Sequence, residues 1–174
     1  MSAIDTSPGL DFPPGVTAAI PAAKTVIAAV IEWRGRIALL RRSSRLGHEG
    51  GLWHCVTGFL EPGATPEQQA LEELFEETGV QAKDLLDLRP GPALVITDSI
   101  GGPWLVHTFT AVTSRRRLTI NWEHDRYRWT PAPKVKRFSN RVAWLDSVLH
   151  ATGHLAPAMP APAGLQLQDR ENSG

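Results

Sequence analysis

The sequence has little cysteine, no net charge and no apolar run of membrane length. One cysteine among 174 residues excludes a disulfide within the chain. A formal net charge of zero gives no overall field that attracts nucleic acid or a membrane surface. No apolar run approaches the ~20 residues of a membrane helix, and no basic-then-apolar signal segment opens the chain. We therefore expect a cytoplasmic protein with neither a membrane partner nor a stable nucleic-acid partner.

Positive charge is also missing from one long stretch. Between Leu46 and Ala82 there is no Lys or Arg, whereas seven residues are Glu. The same stretch predicts a helix with clear ends. Thr65 is a suitable N-cap that begins a Thr-x-x-Gln capping box, and Pro66 stands at the first helical position. Gly79 supplies the left-handed residue that ends a helix.

This predicted helix has two unlike faces. Apolar spacing predicts that one face is buried, comprising Leu71, Leu74, Phe75 and Thr78. The opposite face collects only carboxylates, from Glu72, Glu73, Glu76 and Glu77. Like-charge i, i+4 pairs destabilise a helix by roughly 0.2–0.5 kcal/mol each. One interpretation is a solvated face, although such faces usually mix charges of both signs. The other is a bound Mg²⁺ or Mn²⁺, since hard cations prefer oxygen ligands.

The 23 residues from Gly58 to Val80 resemble the Nudix box, in which a glycine, spaced acidic residues and a closing Glu-Glu-x-Gly recur in fixed register. The matching positions are Gly58, Glu73, Leu74, Glu76, Glu77, Gly79 and Val80. Two positions depart from the pattern, because Ala64 replaces its first Glu and Glu72 replaces its Arg. The resemblance implies an α/β fold, the Nudix α/β/α sandwich with a mixed β-sheet.

The resemblance also implies an activity, metal-dependent hydrolysis of a phosphoanhydride bond. The expected substrate is a nucleoside diphosphate linked to another moiety, or a nucleoside triphosphate. Mg²⁺ or Mn²⁺ would be held by the carbonyl of Gly58 and by Glu73, Glu76 and Glu77. In relatives the box arginine pairs with box carboxylates and holds them in position, which Glu72 cannot do. Two alternatives remain: a nucleotide-binding module that lost turnover, and a protein-interaction domain with no ligand.

Residues outside the box supply further candidates. Glu123 is the best candidate for a general base that accepts a proton from the attacking water, and a surface charge is the alternative. His124 beside it is interpreted as a structural loop histidine. Cys55 lies in an apolar run and is interpreted as a buried, inert thiol. Phosphate-binding side chains are expected in or before the loop 43–51, at Arg41, Arg42 and Arg45. Base stacking or core packing are the alternatives for Trp53 and Trp129.

Along the chain, the pattern predicts a domain over 24–152 between two flexible segments, a Pro-rich leader at 1–23 and a Pro/Ala-rich tail at 153–174. A small-molecule substrate is the expected partner, and a homodimer is compatible with the sequence. A closing helix is expected from about Ser139 to His150, and a short strand or irregular chain over 80–89. Strands are predicted at 24–33, 36–42, 52–57, 93–98, 104–113, 118–122 and 127–129.

Overall fold

The structure, a computed structural model, describes residues 24–97 and 102–156, and strand β1 (Lys24–Trp33) lies at its centre. The β-branched and aliphatic residues of β1 are buried from Val26 to Ile31. Burial on both faces is typical of a strand with layers above and below it. Along one edge β1 pairs in parallel with β7 (Pro103–Thr113), from Lys24 opposite Trp104 to Glu32 opposite Val112.

Among the described residues, six of the seven strand pairings are antiparallel and only that of β1 with β7 is parallel, so the sheet is mixed. The path through the sheet runs β3-β2-β1-β7-β5, with β4 beside β1, β6 beside β7 and β8 beside β2. The remaining strands are β2 (Arg36–Arg42), β3 (Trp53–His54), β4 (Val56–Phe59), β5 (Leu85–Pro90), β6 (Leu94–Thr97) and β8 (His124–Thr130). The α-helices are α1 (Pro66–Thr78) and α2 (Leu145–Ala151), and two 3-10 helices span Ala82–Asp84 and Ala132–Arg137.

Alternation of side chains along β1 builds one core on each face of the sheet. Ile27 and Ile31 face Leu74 of α1, whereas Val30 faces Leu145 and Leu149 of α2. Helices on both faces of a mixed sheet make an α/β/α sandwich, as predicted. No helix among the described residues is long and apolar enough to cross a membrane. The predicted leader and the tail beyond residue 156 lie outside the described residues.

The prediction of one continuous strand over 52–57 is wrong. The segment is divided at Cys55 into β3, which pairs with β2, and β4, which pairs with β1. One segment cannot follow two different partners without a break in its pairing. Cys55 itself is buried, and burial raises the pKa of its thiol well above the ordinary value. The interpretation of an inert buried thiol is therefore confirmed.

The predicted strand 118–122 is also wrong. Leu118 packs into the core on the α1 side, and the backbone N–H of Thr119 donates to the carbonyl of Thr78 at 2.9 Å. This segment therefore covers the end of α1 instead of joining the sheet. The strand predicted at 127–129 is longer than expected, since β8 begins at His124 and pairs with β2. A short strand after residue 80 is confirmed as β5.

The closing helix begins later than predicted, at Leu145 rather than about Ser139. The backbone before this helix is hydrogen-bonded to Trp53. The Trp53 N–H donates to the Asn140 carbonyl, and the Trp53 carbonyl accepts from the Val142 N–H, both at 2.9 Å. A backbone bonded to the sheet edge cannot also form helical hydrogen bonds.

Ordered contacts also continue past the expected end of the domain. His154 Nε2 lies 3.0 Å from a carboxylate oxygen of Glu32.

Helix α1 confirms the predicted caps but not the predicted buried face. The Thr65 side chain accepts from Gln68, Pro66 opens the helix, and Gly79 ends it at φ +71°. Leu74 is fully buried as expected, whereas Phe75 is 52% exposed. The prediction that Phe75 is buried is therefore wrong, because the helix turns its 69, 70, 73, 74, 77 and 78 positions toward the sheet.

Leu74 and Phe75 form a matched pair for testing this orientation. Leu74→Ala should lower the free energy of unfolding by about 2–5 kcal/mol, since it leaves a cavity in the core. Phe75→Ala should cost less than about 1 kcal/mol, because its ring is half-exposed. Urea unfolding of both variants measures the two costs. Equal costs would contradict the orientation of α1.

Candidate active site

Helix α1 does not present one acidic face to solvent; it divides its glutamates between two environments. Glu77 is only 2% exposed and Glu73 is partly buried, whereas Glu72 and Glu76 are exposed. At about 100° per residue, positions 73 and 77 lie at the edge of the face that meets the sheet. The prediction of four glutamates on a face opposite the core is thus wrong for Glu77. The helix carries one carboxylate into the interior.

Gly58 of β4 gives Glu73 its place against the sheet. A methyl group at Gly58 would overlap the carboxyl group of Glu73, so only glycine leaves room for this close approach. Gln69, one turn earlier on α1, donates from Nε2 to Glu73 Oε1 at 3.0 Å. The Gln69 amide oxygen accepts from the backbone N–H of Glu61 at 3.0 Å. Gln69 thereby ties Glu73 to the loop before the helix.

The environment of Glu73 and Glu77 disfavours their charged forms. Burial raises the pKa of Glu73 to about 7, with further contributions from neighbouring Glu76, Glu123 and Glu72, whereas the Gln69 hydrogen bond lowers it. Burial also raises the pKa of Glu77 well above its ordinary value, and the charges of Glu73 and Glu123 raise it further. Among the described residues, Glu77 Oε2 is a buried oxygen with no hydrogen-bond partner. These carboxylates would be stabilised by a cation.

Two basic side chains of the sheet lie near this interior carboxylate, Arg42 at the end of β2 and His124 at the start of β8, and His54 of β3 lies within electrostatic range of both. His124 Nε2 lies 3.7 Å from Glu77 Oε2, and both side chains are buried. Burial, followed by the nearby Arg42 charge, lowers the pKa of His54 to about 3 and that of His124 to about 4. Both histidines are therefore neutral at pH 7. His124 is buried in a strand, which corrects its interpretation as a loop residue.

Glu123, the predicted base, lies within electrostatic range of both Glu73 and Glu77. Its backbone N–H donates to Asn121 Oδ1 at 3.1 Å, and its carbonyl accepts from Ser43 at 2.7 Å. The turn that holds Glu123 is therefore fixed to the end of β2. The structure brings this predicted residue next to the box carboxylates across 46 residues of sequence.

The three predicted phosphate-binding arginines lie in different environments. Arg41 Nε donates to Asp125 Oδ1 at 2.7 Å, which fixes its guanidinium on the neighbouring strand. Arg42 turns inward, with its Nε buried and its Nη2 3.3 Å from the His48 carbonyl. Arg45 is exposed in the loop. The structure does not gather the three into one cluster, and their role in phosphate binding stays a prediction.

Neither predicted stacking tryptophan lies open beside the carboxylates. Trp53 is buried against Phe138, with ring centroids 5.1 Å apart, which confirms the core interpretation. Trp129 packs against Trp33 and donates to the Arg116 carbonyl at 2.9 Å. Trp122, in contrast, is 73% exposed next to Glu123. Its position beside the candidate base makes it a further candidate, which the strand predicted at 118–122 did not indicate.

The residues present fit a hard divalent cation in their chemistry. Within 24–97 and 102–156, no three His, Cys, Asp or Glu side chains are already arranged to hold a metal ion. The donor set nevertheless consists of carboxylate oxygens, and one of them, Glu77 Oε2, has no partner in the protein. Oxygen ligands of this kind suit Mg²⁺ or Mn²⁺. Gly58, Glu73, Glu76 and Glu77 stay the predicted ligands.

Comparison with known sequences identifies the family. A model of the NUDIX domain matches residues 21–151. The chain is 29% identical over 135 residues to an RNA pyrophosphohydrolase of Gluconacetobacter diazotrophicus, covering 67% of this chain and 81% of that protein. It is 35% identical over 119 residues to an octanoyltransferase of Myxococcus xanthus. That match covers 65% of this chain but spans only 32% of the octanoyltransferase.

Solved structures share the fold. The NUDIX domain of Shewanella oneidensis NrtR, complexed with ADP ribose, matches with a TM-score of 0.62 at 21% identity, covering 76% of this chain and 88% of that one. A bifunctional NMN adenylyltransferase/ADP ribose pyrophosphatase of Francisella tularensis, with AMP and a Mn ion, matches with a TM-score of 0.64 at 20% identity. This second match covers 76% of this chain and 42% of that one.

A mixed-sheet sandwich whose box helix carries inward-facing glutamates defines a Nudix-type hydrolase domain. The chain belongs to the NUDIX family. The predicted family, fold and enzyme class are thereby confirmed, whereas the substrate and the metal belong to the proposal below.

Protonation of Glu73 gives a testable pH dependence in the metal-free protein. Its pKa rises from 4.5 to about 7 on folding, so its contribution to stability is greatest below pH 4.5 and is lost as the pH rises to 7. Glu73→Gln removes this loss. Above pH 7 it should raise the free energy of unfolding by about 1 kcal/mol, a value reduced for the partial exposure of the side chain.

Urea unfolding in EDTA between pH 4 and 8 measures this difference. Both proteins share His54 and His124, whose titration therefore cancels in the comparison. The advantage of Glu73→Gln should shrink toward zero at pH 4.5. Glu67→Gln, an exposed glutamate in the first turn of α1, is the matched control and should show little pH-dependent difference. An advantage of Glu73→Gln that is constant over the whole range would contradict the assignment.

Proposed function

We propose that the chain hydrolyses a phosphoanhydride bond in a nucleoside diphosphate linked to another moiety, or in a nucleoside triphosphate. The observation that carries this proposal is Glu77, a buried box glutamate whose Oε2 has no hydrogen-bond partner among the described residues. A structural helix gains nothing from burying an unpaired carboxylate, because the desolvation cost is several kcal/mol. A site that binds a cation recovers that cost.

The carboxylates of Glu73, Glu76 and Glu77, with the Gly58 carbonyl, would hold Mg²⁺ or Mn²⁺. When bound, such an ion screens the phosphate charges and stabilises the negative charge that develops on the leaving group. Gln69 keeps Glu73 over Gly58 through its 3.0 Å hydrogen bond. The protein's contribution at this point is therefore to hold the ligand oxygens in place before substrate arrives.

Glu123 is the proposed general base. The oxygen of a water molecule attacks one phosphorus, the bridging P–O bond breaks, and the proton of the water passes to the Glu123 carboxylate. Glu123 suits this role because its turn is fixed by two backbone hydrogen bonds while its side chain stays within range of Glu73 and Glu77. The departing phosphate carries away the electrons of the broken bond.

On the substrate side, Trp122 is the proposed stacking surface for a nucleobase. An exposed indole next to the candidate base can cover one face of an aromatic ring, a contact worth about 0.5–1.5 kcal/mol beyond the area it buries. The RNA pyrophosphohydrolase relative and the ADP ribose complex of the NrtR domain both support a nucleotide-like substrate. Arg45, exposed in the loop after β2, is the proposed phosphate contact.

Replacing a box carboxylate tests the proposed metal ligands. Glu76→Gln and Glu77→Gln remove charge but little volume, so turnover should fall at least about a hundredfold with the fold intact. Turnover is measured with Mg²⁺ and with Mn²⁺ at pH 7 and 9. The substrates are a nucleoside triphosphate, ADP ribose and 5′-triphosphorylated RNA. Glu67→Gln is the control and should retain activity. Near-full activity in both Gln variants would exclude these ligands. Nucleotide binding without turnover by the wild type would favour the binding-module alternative.

Glu123→Gln distinguishes a base from a metal ligand. If Glu123 accepts the proton, kcat should fall about 10²–10⁴-fold while Mn²⁺ affinity stays within about twofold of wild type. Parallel loss of Mn²⁺ affinity would instead make Glu123 a ligand. Measuring kcat across pH together with Mn²⁺ titration separates the two roles. An unchanged rate across pH would show that Glu123 is a surface charge without a catalytic role.

A further inference from the structure

The box helix supplies no positive charge to its own buried glutamate. Glu72 occupies the arginine position of the box and is exposed, and no basic residue stands in the last turn of α1. The segment from Leu46 to Ala82 contains no Lys or Arg at all. Any cationic partner for Glu77 must therefore come from elsewhere in the fold.

The end of β2 and the start of β8 supply one. Arg42 and His124 are opposite each other in the β2–β8 ladder, after a register shift between Arg41 and Arg42. His124 Nε2 lies 3.7 Å from Glu77 Oε2, with both side chains at most 3% exposed. His124 is thus a buried imidazole close to the carboxylate, although the two are too far apart for a hydrogen bond.

Arg42 has a fixed backbone and a partly buried side chain, whose Nη2 donates to the His48 carbonyl at 3.3 Å. Its N–H donates to the Leu52 carbonyl at 2.9 Å, and its carbonyl accepts from Gly51 at 2.7 Å. Its Nε is buried and, among the described residues, has no hydrogen-bond partner. Its charge acts on Glu77, His54 and His124. A guanidinium is always protonated, so it delivers a permanent positive charge into this polar cluster.

We propose that Arg42 and His124 together position the Glu77 carboxylate, doing from the sheet what the box arginine would do from the helix. His124 lies 3.7 Å from one carboxylate oxygen, and Arg42, its cross-strand neighbour, offsets the buried negative charge. Both are positioning residues rather than catalytic ones, because they act through Glu77. The inference rests on the proposed function for its effect on turnover, but the contact itself is independent of any activity.

A double-mutant cycle on the metal-free protein tests the contact without using activity. Arg42→Met should lower the melting temperature of wild type by several degrees, because it leaves Glu77 buried without its compensating charge. In a Glu77→Gln background the same change should lower it by much less. An arginine that only fills space would give equal losses in both backgrounds. Equal losses, in EDTA at pH 8, would therefore overturn the inference.

Metal binding and kinetics test the positioning role. His124→Phe and Arg42→Met should each weaken Mn²⁺ binding and lower kcat by about 10–100-fold, with KM changed by less than about threefold. Arg42→Lys, which keeps the charge, should recover most of both losses. Arg128→Met, an exposed arginine on the same strand as His124, is the control and should match wild type. Wild-type Mn²⁺ affinity in folded His124→Phe and Arg42→Met would refute the proposal.

The outcomes remain separable if a variant fails to fold or if no substrate is cleaved. Should Arg42→Met not fold, its ability to fold in the Glu77→Gln background would support the inference, and failure in both backgrounds would overturn it. Should wild type cleave nothing in the panel, the proposed function would fail. Free Mn²⁺, followed by electron paramagnetic resonance, and the melting temperatures would still decide whether Arg42 and His124 hold Glu77.

Discussion

Burial of the Glu77 carboxylate is the constraint on which the arrangement of the site depends. An isolated ionised carboxylate away from water costs several kcal/mol, so its surroundings must supply hydrogen bonds, opposite charge or a cation. The protein supplies a backbone N–H from Thr57, the His124 ring at 3.7 Å and the charge of Arg42. Among the described residues, the oxygen nearest His124, Oε2, still has no hydrogen-bond partner. The proposed cation would complete this incomplete satisfaction.

The sheet is organised so that these groups can meet. Strand β1 is fixed between β7 on one edge and β4 and β2 on the other, and after β4 the chain passes through the loop 60–65 into the box helix. The division of the predicted strand 52–57 at Cys55 is part of this arrangement. Because β3 pairs with β2 while β4 pairs with β1, His54 is placed toward Arg42 and Gly58 toward Glu73.

Sequence reasoning succeeded where the determinants are local. The caps of α1 at Thr65 and Gly79 depend on residues within one turn, and the alternation in β1 depends on its own side chains. It failed where distant partners decide. Phe75 fits an apolar stripe, yet the sheet lies against Glu77 instead, and no periodicity reveals which neighbour a helix will meet. Asn140 lies in a segment with helical periodicity. Its carbonyl instead accepts a hydrogen bond from the backbone N–H of Trp53, 87 positions earlier, at the sheet edge.

The same distinction between local determinants and distant partners applies to Glu72, which replaces the arginine of the Nudix box. A motif records which residue usually meets a physical requirement, and here the proposed requirement is to hold a buried carboxylate in position and offset its charge. Arg42 and His124 lie 35 residues before and 47 residues after Glu77 in the sequence, so a search confined to the box cannot detect them. Their cross-strand pairing places them together only once the sheet has formed. On the proposal that Arg42 and His124 position Glu77, the departure at position 72 moves the supporting groups from the helix to the sheet, which a comparison confined to the box would read as a loss.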